Sequence, residues 1–453
     1  MQLSIDFISL GCAKNLVDSE RLMYVLFKRG YKINVDPQQP ESKIVIINTC
    51  GFIADAKQES INTILQYVKA KSEGDVKKIY VFGCLSQRYR EELQKEIPEV
   101  DGWWGKFDFL EIADHFDKEE YKNKTTESCF QNVNTSTHDS LKNENSEFKR
   151  YLTTPNHYAY LKIAEGCNRR CAYCIIPHIT GYQKSRTKEE ILQEVQWLIS
   201  KGVKELQVIA QELTAYGTDI TQQVMLPQLI DDIADIQGVE WIRLHYAYPN
   251  NFPWLLFDVI NKRDNVCKYL DVALQHISNN MLKRMHRNTT SEETYDFIKR
   301  MRQQCPGIQL RTTLMVGFPG ETEDDFQQLL DFVRWAKFER MGAFAYSEEE
   351  GTYSAIHYKD NVPPIVKQQR LDTLMKVQQE ISQQLMEKEI GKRHRVIVDA
   401  LEGDYYVTRN QYSSPEVDPE ILIKADDKQL VIGQFYNVEI IDSTPFDLFG
   451  KII

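Results

Sequence analysis

Three cysteines fall within eight residues in the stretch EGCNRRCAYCII, residues 165–176: Cys167, Cys171 and Cys174. Thiolate is the metal-binding form of cysteine, and clustered thiols in a reducing compartment point to metal or catalysis before disulfides. Structural zinc takes four ligands, commonly in two close pairs. Here the local fourth ligand is missing. A cubane iron–sulfur cluster on three thiolates keeps one iron with an open position for a substrate or cofactor, which suits three better than zinc does. A second set of three is spread along the chain: Cys12 ends IDFISLGC, Cys50 ends KIVIINTC and Cys84 ends KIYVFGC. Independent buried cysteines are the ordinary alternative for strand ends. That all three strands end this way favours a second cluster with its own open iron.

The elements that must hold these thiols are legible in the pattern. In residues 1–115 each of the three apolar runs leads into a helical segment, SERLMYVLFKRG, DAKQESINTILQYVKA and YREELQKEI. Continuous β-branched runs alternating with helical periodicity indicate a parallel sheet with covering helices, and ligands of such sheets sit beyond the carboxyl ends of strands. Cys12, Cys50 and Cys84 therefore belong on one edge. Residues 116–150 are polar and read as an exposed linker, with Cys129 a free surface thiol. Residues 151–385 alternate AYLKIAEG, ELQVIAQE, WIRLHYAY, YLDVALQH, QLRTTLMVGF and MGAFAYS with helical segments, a closed or partly open α/β barrel followed by a long helix after Pro364. Residues 386–453 change to short strands, RVIVDALE, YYVTRN, ILIKA and FYNVEIID, spaced as a small antiparallel barrel.

Composition sets the bounds. The chain has 453 residues, 42% apolar, with nine cysteines and a formal charge of −11. At ~150 residues per domain this length suggests about three domains. A generic phosphate-binding surface is not expected of an acidic protein, and a basic partner is. The opening MQLSIDFISLGCAKN imitates a lipoprotein cleavage site, but it lacks a basic n-region and Asp6 interrupts it, so it reads as a buried strand. No segment reaches the ~18 apolar residues of a membrane helix, and a cytoplasmic location is expected. Cys267 and Cys305 read as small core residues, and His245 and His276 as satisfied core or rim histidines.

The spacing C-x3-C-x2-C directly after the first barrel strand resembles the signature of the radical S-adenosylmethionine (SAM) superfamily. That resemblance implies a [4Fe-4S] cluster on Cys167, Cys171 and Cys174, whose open iron chelates SAM and cleaves it to a 5′-deoxyadenosyl radical. It also implies that Tyr173 packs near the adenine, and that Gly317, Pro319 and Gly320 of MVGFPGETEDD border the methionine moiety of SAM. A core aromatic at Tyr173, an ordinary strand-to-helix turn at the glycines and a helix-start role for Glu321 stand beside those readings. Gln211, Tyr216 and Gly217, in QELTAYGTD, lie where a barrel strand ends and line the cavity or support it.

One SAM-cleaving cluster plus a second three-cysteine [4Fe-4S] cluster in an amino-terminal flavodoxin-like domain resembles the methylthiotransferases along essentially the whole chain. The resemblance implies two SAM molecules, one giving its methyl to sulfur carried by the auxiliary cluster, the other generating the radical. QELTAYGTD, LHYAYP, LQHIS, AYSEEEGTYSA and SPEVD resemble the RimO family, which acts on an aspartate β-carbon of small-subunit ribosomal protein S-twelve. A low-potential electron donor such as flavodoxin or ferredoxin and a sulfur donor are implied as partners. The final barrel matches the position of the TRAM module. From 396 to 453 four basic residues, Arg409, Lys424, Lys428 and Lys451, face eleven acidic ones, a net of −7. That sign favours a basic ribosomal protein over RNA. Ser413 and Ser414 stand where relatives often carry Asp-Ala, a difference expected to bear on contacts with the partner. The alternatives are a transfer-RNA methylthiotransferase acting near the anticodon and a non-catalytic iron–sulfur carrier.

Overall fold

The computed structural model describes residues 3–121, 148–425 and 429–453. It divides into two compact units, Met1–Thr153 with Glu189–Trp197, and Thr154–Lys188 with Leu198–Ile453.

The first unit is a parallel sheet of β1 (Ser4–Ser9), β2 (Lys32–Val35), β3 (Ile44–Thr49), β4 (Lys78–Gly83) and β5 (Gly102–Trp103) in the order β2-β1-β3-β4-β5. This is the flavodoxin-like doubly wound order. All six residues of β3 are buried, because helices cover both faces. Its side chains alternate between them. Ile44 and Ile46 join Phe7, Phe82 and Leu22 in one cluster, whereas Val45 and Ile47 join Val81, Ile64 and Tyr67 in another. β2 and β5 escape a search for long apolar runs because they have only four and two residues. The helix Phe109–Tyr121 continues past the boundary expected at 115. At the other end of the polar stretch, Arg150 donates to Glu20 Oε2 at 2.7 Å and Thr153 N to Glu20 Oε1 at 2.8 Å, so these residues belong to the first unit. Cys129 and Lys428 lie outside the described residues.

The second unit holds an open six-stranded parallel sheet of β6 (Tyr158–Lys162), β9 (Glu205–Ile209), β10 (Trp241–Ala247), β11 (Val266–Gln275), β12 (Gln309–Val316) and β13 (Arg340–Ala345). Strands are laid down in sequence order, with β6 and β13 as free edges: a partial barrel. Between β6 and β9 lies a short antiparallel pair, β7 (Ala164–Glu165) and β8 (Lys184–Ser185). Helix Pro364–Glu387 leads to a closed barrel of β14 (Arg393–Glu402), β15 (Tyr405–Asn410), β16 (Ile421–Lys424), β17 (Phe435–Ser443) and β18 (Leu448–Ile452). It is not wholly antiparallel, since closure pairs β16 with β18 in parallel.

This closed barrel is fixed to the six-stranded sheet by buried ion pairs. Glu205 of β9, fully buried, accepts from Arg243 Nε at 3.0 Å and from Arg409 Nη2 of β15 at 2.8 Å. The segment after β15 continues the contact: Arg243 Nη1 reaches Gln411 O at 2.6 Å, Tyr158 OH reaches Glu416 Oε1 at 2.9 Å, and Arg311 Nη1 reaches Asp418 Oδ1 at 2.5 Å. Ser413 and Ser414 are buried in this segment. The expectation that they meet a partner is therefore overturned. Among the described residues, no helix is long and apolar enough to cross a membrane.

Candidate active site

In the first unit Cys12 is the N-cap of helix Ala13–Lys28, Cys50 follows β3, and Cys84 opens the helix that follows β4. Parallel register carries all three to one edge. Each adjoins a glycine packed too closely for any side chain. A Cβ on Gly11 would lie 2.8 Å from Cys50 Cβ, one on Gly51 would lie 2.7 Å from the Leu85 backbone nitrogen, and one on Gly83 would lie 2.6 Å from Thr49 O. The same edge carries a polar stripe that sequence reasoning missed. Asn15, Asp18 and Ser19, three and four residues apart on one helix face, are all buried. Asn15 Nδ2 donates to Thr49 O, its Oδ1 accepts from Cys84 Sγ at 3.3 Å, and Asp18 pairs with buried Lys106 at 3.1 Å. Buried polar residues in CAKNLVDSE, on an otherwise core-facing helix, were the signal. Burial pushes the Cys50 thiol up and the Cys84 thiol up to about 12, with Lys106 opposing the rise and neighbouring thiols adding to it.

In the second unit Cys167, Cys171 and Cys174 lie on the loop between β7 and the short helix Ile176–Thr180. Arg169 N donates to Cys167 Sγ at 3.4 Å, and Arg287 Nη1 to Cys171 Sγ at 3.4 Å. Burial raises the Cys167 thiol to about 11 and the Cys174 thiol to about 12. All six are free cysteines. Among the described residues no three His, Cys, Asp or Glu side chains stand grouped as ligands of a metal ion. A single ion draws its sulfurs to within about 2.3 Å of itself, whereas a cubane separates its cysteines by its own width. Three thiols on one short loop, two of them with an amide or guanidinium donor on sulfur, are of the ligand type that iron–sulfur clusters take.

The other residues singled out from sequence separate into two groups. Tyr173 is partly buried, meets Phe318 edge-on at 6.4 Å and accepts from Arg287 Nη1 at 3.4 Å. Gln211 Nε2 donates to Glu165 Oε1, two residues before Cys167. These two adjoin the cysteine loop. Tyr216 and Gly217 instead brace β8 and its continuation: Tyr216 OH donates to Arg186 O at 3.0 Å, and Gly217 N to Ser185 Oγ at 3.0 Å. Gly317 N donates to Glu321 Oε2, Gly320 N to Asn361 Oδ1 at 2.7 Å, and Pro319 O accepts from Arg284 Nε at 2.9 Å, so these turn groups are satisfied within the protein. Glu321 does not act at a helix start. It is buried against Arg370 at 2.7 Å and His276 at 3.0 Å, and Thr322 with Asp325 forms the capping box instead. His276 Nδ1 accepts from Ser278 N, which leaves Nε2 to donate to Glu321; His245 meets Gln207 at 2.7 Å. Both are satisfied histidines, and Cys267 and Cys305 are fully buried. Sequence reasoning also missed Arg287 and the pair Arg169–Glu212, joined at 3.1 Å, because nothing in spacing separates a buried arginine from a solvated one.

Comparison with known proteins agrees with this architecture. The Radical SAM superfamily model matches residues 161–333, the model described as Uncharacterized protein family UPF0004 matches 4–105, and the TRAM domain model matches 390–453. A Bacteroides thetaiotaomicron protein named Ribosomal protein uS12 methylthiotransferase RimO is 56% identical over 99% of this chain and 98% of its own length. A Cytophaga hutchinsonii protein of the same name is 44% identical over 99% of this chain and 98% of its own. Among solved structures, the radical S-adenosylmethionine methyltransferase TsrM from Kitasatospora setae aligns with a TM-score of 0.53 at 14% identity, covering 79% of this chain and 77% of that one, a likeness of fold. Two sets of three thiols, one at the ends of parallel strands and one on a single loop, and near full-length identity converge: the chain belongs to the ribosomal protein uS12 methylthiotransferase RimO family of radical SAM proteins.

Proposed function

We propose that this protein is a methylthiotransferase that uses SAM and iron–sulfur chemistry to add a methylthio group to the β-carbon of an aspartate in ribosomal protein S-twelve. The observation that carries the reading is the 56% identity, over nearly the full length of both chains, with a protein named for that activity. In this reading Cys167, Cys171 and Cys174 hold one [4Fe-4S] cluster, and Cys12, Cys50 and Cys84 hold a second. When bound, the first cluster supplies the electron for reductive SAM cleavage and the second supplies sulfur.

The chain's own groups prepare both sites. Burial raises the Cys84, Cys167 and Cys174 thiols further above neutrality, so ligation of a cluster there would release their protons. Asn15 Oδ1 holds the Cys84 proton, and Arg169 N orients Cys167. Gln211, which donates to Glu165 Oε1, and Lys162, 2.7 Å from Glu165 Oε2, fix the entry to the cysteine loop. The acidic balance of residues 396–453 supports a basic protein as substrate. Its one basic residue on β15, Arg409, is buried and unavailable to RNA. A low-potential flavodoxin or ferredoxin as electron source, and a separate sulfur donor, complete the proposal.

The test is mass analysis of S-twelve incubated with anaerobically reconstituted protein, SAM and a reductant. A methylthio increment on one aspartate is expected, with Cys50→Ala and Cys171→Ala both inactive. Unmodified S-twelve beside a modified anticodon stem-loop would overturn the substrate, and full methylthiolation by Cys50→Ala would overturn the second site.

A further inference from the structure

Among the described residues, Arg287 is an arginine without a carboxylate. It is 2% exposed, and among the described residues its guanidinium finds no acidic partner. Nη1 points at Cys171 Sγ and Tyr173 OH, each at 3.4 Å, Nη2 donates to Ala273 O, and Nε is left without a partner. Burying a cation without a counter-charge is costly, so a purely structural arginine here should have acquired an acid. Its neighbour did. Tyr248 lies between two guanidinium groups, Arg287 at 4.2 Å and Arg169 at 4.1 Å from its ring centroid, and Arg169 pairs with Glu212.

The backbone holds Arg287 in place at a cost. His286 and Asn288 on either side both adopt left-handed φ, +57° and +49°. Non-glycine residues in that region are strained, and strain of this kind concentrates at functional sites. The segment is tied to the cysteine loop by Ala172 N donating to Met285 O at 3.0 Å, and to Tyr248 by its hydroxyl donating to Arg287 O at 2.9 Å. The fixed cation and Cys171 are thus positioned together.

We propose that Arg287 is a positioning residue that sets the reduction potential of the cluster on Cys167, Cys171 and Cys174, its guanidinium serving as that cluster's built-in counter-charge through Cys171. The inference rests on the proposed reading of those three cysteines. Reduction adds one electron, taken from a low-potential donor, and forms or breaks no bond at the cluster. The added negative charge lies beside a cation that water cannot screen. Hydrogen bonds to sulfur and local charge are the levers by which proteins tune such clusters, and a buried cation favours the reduced state. Arg287 therefore brings the cluster within reach of its donor.

The test is a redox titration followed by electron paramagnetic resonance, without SAM, on the full chain carrying Cys12→Ala, Cys50→Ala and Cys84→Ala so that one cluster remains. Adding Arg287→Met is expected to leave iron bound and to move the midpoint more negative, lowering the reduced-to-oxidised ratio at fixed potential about tenfold, ~59 mV for one electron. Arg287→Lys, which keeps the charge, should shift less than Arg287→Gln. An unchanged midpoint in an iron-loaded Arg287→Met variant overturns the inference, including when SAM binding alone is weakened. If Arg287→Met holds no iron, equal midpoints for the Lys and Gln variants overturn it instead. Absence of any cluster signal before Arg287 is altered would count against the reading of the cysteine triad itself.

Discussion

Glu205 shows how one side chain joins electrostatics to stability. Burial alone would raise its pKa, but Arg409 and Arg243 prevail and hold the carboxyl at about 2. A depressed carboxylate contributes stability that is complete above its unfolded value near 4.5 and is lost as pH falls through about 2. The difference corresponds to roughly 3 kcal/mol. Acid titration by circular dichroism should therefore show the second unit weakening across that window. Glu205→Gln should be less stable by about 3–5 kcal/mol at neutral pH, because buried Arg243 loses its carboxylate and Arg409 keeps only Asp399, and its remaining acid dependence should be shallower.

At the scale of elements, the ends of β1, β3 and β4 matter more than their middles. Gly51 has Leu85 and Cys84 backbone against it, so Gly51→Ala must push β3 and the helix after β4 apart. With a cluster on Cys12, Cys50 and Cys84 as proposed, the expected outcome is loss of that iron, read by metal analysis, with reductive SAM cleavage by the second unit retained. The helix Glu323–Ala336 depends on a different device. Its capping box joins Thr322 Oγ1 and Asp325 N at 3.1 Å, immediately after the Gly317–Glu321 turn. Thr322→Ala should cost about 1 kcal/mol in urea denaturation.

For the whole molecule, the carboxy-terminal closed barrel is part of the second unit rather than a tethered arm. Arg409, Gln411, Glu416 and Asp418 all bond to β6, β9, β10 or β12. Calorimetry should record the six-stranded sheet and the closed barrel unfolding in one transition. Arg409→Ala, which leaves Glu205 to Arg243 and Asp399 to His157, should split that transition or lower it, and should make the chain newly sensitive to proteolysis between helix Pro364–Glu387 and β14.

The sequence by itself determined the two sets of three thiols, the strand that ends at each of Cys12, Cys50 and Cys84, and the order of all six strands of the partial barrel. These are local signals: spacing, β-branched runs and helical periodicity survive in one dimension. It also carried enough family pattern to point to RimO. Only the tertiary structure decided which polar residues stand beside the thiols, because Lys106 and Arg287 are brought there from distant segments, and Asn15, three residues after Cys12, meets Thr49 and Cys84 only once the sheet forms. The same holds for Ser413 and Ser414, which look like surface residues until β15 delivers the following segment to the sheet. It holds for β18 as well, whose pairing with β16 exists only once the barrel closes. Charge and polarity are written in the chain; whether water or another side chain answers them is settled by packing.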